Sequence, residues 1–233
     1  MRVHGVFLAL ALSLSAGCAH HYALPPSTAT ETGEVSTFPA FVIDPSTATE
    51  RDGGTYSTFR GCSATYVAPH LLLTSATAFP EIAPGTRRSD VPIVVRTADG
   101  SWLHVTGVAY LGAGDGIALI RTWESGPAAR LGLMATPNHD LTAVGFHYGA
   151  VPSDGSLPPT ASYRTQVRPE PEPYSSGGTF IRFRFTPGLE QGSCGAPLLD
   201  RNGDLAGMVH ERHGEWMSAI SAPAIAEAIE RAR

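Results

Sequence analysis

From about residue 38 onward, apolar and polar positions alternate with the short period of β-strands, and turn residues interrupt them at close intervals. The run TFIRFRF, residues 179–185, is the cleanest: Ile181, Phe183 and Phe185 fall on one face, Arg182 and Arg184 on the other. CSATYVAPHLLLTSA, residues 62–76, carries two apolar stretches around Ala68-Pro69 and predicts strand, turn, strand. VPIVVRTADGSWLHVTGVAYLG predicts another pair, with Asp99-Gly100 as the hairpin turn. GIALIRT, LTAVGFHYG, and GDLAGMVH after the Asn202-Gly203 turn read as further strands. Only the last stretch, SAPAIAEAIERAR, has a helical period. Ser221 stands where a cap belongs, Pro223 suits the first turn, Ile225 and Ile229 share a face, and Arg231 and Arg233 lie at the negative end. Residues 149–178, rich in Pro and Ser, predict a long surface loop. Many short strands and one terminal helix predict an all-β sandwich or barrel, and no internal repeat is visible.

Two N-terminal segments lie outside that pattern. Residues 1–17 predict an export signal: Arg2 is the positive start, Val6 to Leu14 the apolar stretch, and Ser15-Ala16-Gly17 the small residues before a cut. The apolar run is too short for a membrane-spanning helix. Because Cys18 follows it, the segment resembles a bacterial lipoprotein signal, which implies lipidation of Cys18 and a cell-envelope location, with the outer membrane hinted at by Ala19. Ordinary secretion with Cys18 incidental is the alternative. Residues 18–37 then predict a polar tether ahead of a domain spanning 38–233.

Composition narrows the chemistry. The 233 residues carry a formal net charge of −5, 42% hydrophobic and 16% charged residues, which suits a buried core and argues against nucleic acid as partner. All 16 basic residues are Arg, so Schiff-base, Ser–Lys and Walker-type phosphate chemistry is excluded. Nothing in the pattern calls for a cofactor. His20-His21 and the HERHGE run at 210–215 are weak metal candidates, since neither gathers a full ligand set. The domain holds two cysteines, Cys62 and Cys194, hence at most one disulfide.

The stretch EQGSCGAPLLD, residues 190–200, sets Cys194 on a tight turn before a strand. A thiol there reacts only if a base removes its proton.

Three segments, in order, resemble the chymotrypsin-fold (trypsin-like) peptidases. CSATYVAPHLLLTSAT is similar to the strand that ends in the family's histidine, GIALI to the strand of its aspartate, and QGSCGAPLLDRNGDLAGMV to its nucleophile turn and following hairpin. The resemblance implies two packed six-stranded barrels, about 38–130 and 131–233, with the cleft between them. It places the histidine position on Thr77, the aspartate position on Gly116 with Asp115 one residue earlier, and the serine position on Cys194. It also implies oxyanion donors at Gly192 and Cys194 and a specificity pocket at Gly188 and His210. All three triad positions are substituted, so the expectation is an inactive homologue that binds a protein or peptide in its cleft. The alternative is a cysteine peptidase or esterase using Cys194 with a base outside the motif, His210 first, then His70 or His147. Cys62 lacks the family's usual partner, since that position is Ala78. Proximity of Cys62 to Cys194 is therefore expected, either as a disulfide or as two separate thiols. The sequence is silent on oligomeric state.

Overall fold

The computed structural model describes residues 35–51, 54–79, 93–97, 100–112, 115–132, 139–149, 157–175, 179–186, 189 and 193–233. The predicted signal, Cys18, and the expected Gly188 and Gly192 positions lie outside these residues.

Strand-forming sequence dominates, as the alternation requires. β1 (Thr37–Arg51) and β2 (Gly54–Ala68) form a long hairpin, followed by β3 (Leu71–Ser75), β4 (Ile93–Arg96), β5 (Trp102–Leu103), β6 (Val105–Leu111) and β7 (Ile117–Thr122). The second half contains β8 (Leu141–Tyr148), β9 (Thr160–Val167), β10 (Pro169–Ser175), β11 (Phe180–Arg184), β12 (Pro197–Leu199), β13 (Leu205–His213) and β14 (Trp216–Ser221). Helix α1 (Ala222–Arg231) ends the chain.

These form two seven-stranded antiparallel sheets, ordered β5-β4-β1-β2-β3-β7-β6 and β10-β11-β14-β13-β12-β8-β9. In each, the two edge strands are neighbours in sequence. Only His104 separates β5 from β6, and only Arg168 separates β9 from β10. The chain thus bends from one edge of each sheet to the other across a single residue, which curls the sheet toward a barrel. The bends are pinned. His104 N–H donates to Glu124 Oε2 at 2.8 Å, and its carbonyl accepts from Trp123 N at 2.8 Å. Arg168 makes a two-pronged pair with Asp140 at 2.7 and 3.0 Å.

Three apolar clusters hold the molecule together. One fills the first barrel (Val42, Tyr66, Leu72, Val95, Ile120), another the second (Leu141, Ile181, Phe183, Leu198, Met217). The third joins the barrels to α1 through Leu73, Leu119, Leu205, Met208, Ile225 and Ile229. Each such side chain contributes about 1.5–3 kcal/mol by leaving water.

Several expectations hold in detail. Ile181 and Phe183 are buried while Arg182 and Arg184 are exposed. Gly100 and Gly203 sit in the left-handed region at the two predicted turns. Ile225 and Ile229 form the buried face of α1. Two expectations need correction. Ser221 occupies the N-cap position of α1, but its side chain makes no capping bond. Much of 149–178 is strand: β9 pairs with β8 without a break from Leu141↔Val167 to Tyr148↔Thr160. Its middle is largely solvent-facing, so backbone pairing, with burial of Thr160 and Val167 at its ends, holds it where no apolar alternation announces it.

Candidate functional site

Three turns converge at the junction of the barrels. β3 runs through Ser75 into a 3-10 turn, Ala76–Ala78, which carries Thr77. Ser75 Oγ caps that turn by accepting from Thr77 N at 3.3 Å and meets Thr77 Oγ1 at 2.8 Å. Gly116 leads into β7, and its carbonyl accepts from Ala76 N at 2.8 Å, which fixes the two turns together. The turn bearing Cys194 precedes β12. Its Gly195, at φ +85°, has no room for a side chain: a Cβ would lie 2.7 Å from Thr74 Oγ1 and nearer still to Ser63 O. That close approach lets Ser63 N donate to Cys194 O at 2.8 Å, a bond across the barrel boundary.

The structure therefore places Thr77 and Cys194 in one cleft and fixes the Gly116 turn against the turn of Thr77. Cys194 is largely desolvated, and burial pushes its thiol above the ordinary value. The Thr77 hydroxyl opposes that shift by hydrogen bonding to the sulfur, and Glu211 adds to it. The sulfur also lies beside its own backbone N–H. A hydroxyl can stabilise a thiolate as a donor, but it cannot accept the thiol proton near neutral pH.

The aspartate position holds no acid. Asp115 turns elsewhere, accepting from Tyr110 Oη and from Ile117 N at 3.1 Å. Tyr110 Oη in turn accepts from Arg231 of α1 at 3.3 Å. The space over Gly116 is filled by His210. A Cβ on Gly116 would lie 2.7 Å from His210 Nδ1 and 2.9 Å from Nε2, and Gly116 is at φ +73°. The imidazole stacks on Phe180 with ring centres 5.5 Å apart, its Nδ1 is buried without a hydrogen-bond partner, and burial lowers its pKa. Burial thus favours the uncharged imidazole, which fills the space over Gly116.

The other histidines stand apart from the thiol's hydrogen bonds. His70, at φ 61°, is on the turn before β3, at the end of that strand remote from Thr77, with Nδ1 2.9 Å from Trp123 O. His147 stacks on Tyr163 at 4.4 Å. His213 Nε2 lies 3.4 Å from Glu211 Oε2 on the β13–β14 hairpin, and no three metal-ligating side chains cluster among the described residues.

Cys62 and Cys194 are free thiols. Their chain segments adjoin through the Ser63–Cys194 backbone bond, and Cys194 adds to the upward shift of the Cys62 thiol. Cys62 belongs to the first barrel's core, with its thiol 3.6 Å from Ala40 O, and burial pushes its pKa up to about 12. Cys194 lines a cleft of about 500 Å³ with Arg60, Thr77, Phe185, Leu189, Arg212 and Met217.

Behind the turn of Cys194 lies a polar layer that sequence reasoning missed. Tyr148 Oη donates to Cys62 O, Ser63 Oγ accepts from Phe146 N at 3.1 Å, and Tyr163, its phenol raised by burial, stands beside Ser193. The alternation of LTAVGFHY is the available signal.

No family model and no curated protein matches the chain. Among solved structures, it is similar to the active form of the Rv3671c protease from M. tuberculosis. The TM-score is 0.58 at 17% identity, covering 85% of this chain and 81% of that one. With two seven-stranded antiparallel sheets, one of them nearly barrel-shaped, and a terminal helix, the fold matches a chymotrypsin-like double barrel.

Proposed function

We propose that the chain is a catalytically inactive trypsin-like domain, exported and held to the cell envelope by a lipid on Cys18, which uses its cleft for binding. One observation carries the inactivity: the side chain set with Cys194 in the cleft is the hydroxyl of Thr77, and burial raises the thiol's pKa rather than lowering it. Catalytic cysteines need the opposite shift. The packing of His210 over Gly116 and the diversion of Asp115 to Tyr110 support the same reading. Export and anchoring rest on Arg2, the Val6–Leu14 run and Cys18.

Protein purified from membranes tests this. Alkylation of Cys194 followed against pH should titrate above about 8.5, the value of an ordinary thiol. Peptide and ester substrates should not turn over, and the N-terminal fragment should carry acyl mass on Cys18. A midpoint well below that of a free thiol, or hydrolysis abolished by Cys194→Ala, overturns the inactivity. An unmodified Cys18 in soluble protein overturns the anchor.

A further inference from the structure

Arginine stands on both walls of the cleft. Arg60 rises from β2 in the first barrel and Arg212 from β13 in the second, and both line the cavity that holds Cys194. Several other arginines are paired with acids: Arg130 with Asp204, Arg168 with Asp140, Arg184 with Glu170, Arg231 with Glu227 and Arg233 with Glu230. The two cleft guanidiniums have no carboxylate partner among the described residues. Arg60 gives one N–H to Thr77 O at 3.3 Å. Arg212 gives Nε–H to Gly214 O at 2.9 Å, and its guanidinium lies 3.9 Å from the centre of the Phe185 ring. Most of their N–H donors remain unused by these contacts. In a chain of net charge −5, two such cations facing one cavity are a matched site for an anion.

The rest of the lining specifies the anion further. Phe185, Leu189, Met217 and Ala78 give apolar walls suited to a short aliphatic stem beneath a carboxylate. Glu211, the nearby acid, lines the adjoining cavity with Trp216 and His213. Beyond Val209, which closes on Ala196 at 2.8 Å, β13 is paired only with β14 among the described residues, so an extended chain can lie along its other side. Arg182, 5.0 Å from the Trp216 ring centre, continues the positive charge past that strand, while Arg184 beside it is paired with Glu170 at 3.9 Å.

We propose that the cleft selects an acidic peptide segment, with one carboxylate held between Arg60 and Arg212 and its stem against Phe185, Leu189 and Met217. This rests on the binding role proposed above and names the class of occupant. The carboxylate comes from a Glu or Asp side chain or from a chain terminus.

The test uses fluorescein-labelled peptides that differ at one central residue, Glu, Gln or Lys, with blocked ends. A fourth peptide has Gln in the centre and a free C-terminal carboxylate. Fluorescence anisotropy is measured for the wild type, Arg60→Gln, Arg212→Gln and the double variant, with a thermal melt to show that each is folded. The Glu peptide, the free-terminus peptide, or both should bind at least about tenfold tighter than the blocked Gln peptide, and Lys weaker still. The preference should shrink as salt rises from about 50 to 300 mM and vanish in the double variant. Arg212→Glu should turn it toward Lys. Bound peptide should also slow alkylation of Cys194.

Equal affinities for Glu, free-terminus and blocked Gln peptides, no binding at all, or a preference that survives the double variant overturns the proposal. The two readings fail separately. Tight, charge-blind binding leaves the binding cleft and removes the selectivity. Cleavage of the Glu peptide that depends on Cys194 leaves the selectivity and removes the inactivity.

Discussion

His210 and Gly116 explain together why the thiol at residue 194 lacks help. Gly116 has no side chain and a positive φ, and the imidazole fills the volume above it. Thr77 completes the arrangement, because its hydroxyl reaches the sulfur while Ser75 holds it from the other side. Thr77→His should therefore place a base against Cys194 with no obstruction from Gly116. The expected result is a rise of about tenfold or more in Cys194 alkylation near pH 7, through a lowered thiol pKa. An unchanged rate in a folded variant would show that residue 77 does not face the sulfur. The positions of Thr77 and Cys194 were legible in the sequence because each sits in a local motif of fixed spacing. His210 over Gly116, and Asp115 against Tyr110 and Arg231, were not. His210 and Arg231 arrive from elements far along the chain, and although Asp115 is five residues from Tyr110, no local periodicity encodes that pair.

Among the elements, legibility follows burial. β11 announces itself because Ile181 and Phe183 face a core while Arg182 and Arg184 face water. The Asn202-Gly203 turn was equally plain, since Gly203 adopts a positive φ and its N–H donates to Asp200 O at 3.0 Å. β9 and β10 were read as loop. Their sequences are polar and interrupted by Pro169, Pro171 and Pro173, and what makes them strands is the ladder offered by β8 and β11. The bends at His104 and Arg168 are hidden for a related reason. Neither residue is a Gly or Pro, and each bend is fixed by an acid that arrives from another element, Glu124 or Asp140.

For the whole molecule, the decisive contact is where the barrels touch. Ser63 donates to Cys194 O across the boundary, and Gly195 permits the approach. Gly195→Ala should cost about 3 kcal/mol or more, because the new methyl meets backbone and the left-handed φ is strained. In a domain of this size, that lowers Tm by roughly 6–12 °C in a thermal melt. A Tm within about 2 °C of wild type would mean that the barrels can separate slightly at no cost.

The bend at Arg168 carries a consequence of its own. It is the clasp of a hoop, and its fastener is the Asp140 carboxylate, which the Arg168 guanidinium holds below the usual carboxylate range. A carboxylate whose folded pKa is depressed stabilises above its unfolded value, and that contribution disappears as pH falls through the folded one. Acid should accordingly loosen the second hoop at its clasp before the cores give way. Amide exchange at Gln166 and Val167, corrected for intrinsic rates, should show more opening near pH 3 than near pH 6. Asp140→Asn should open alike at both, and a wild type indifferent to acid would place the fastening elsewhere.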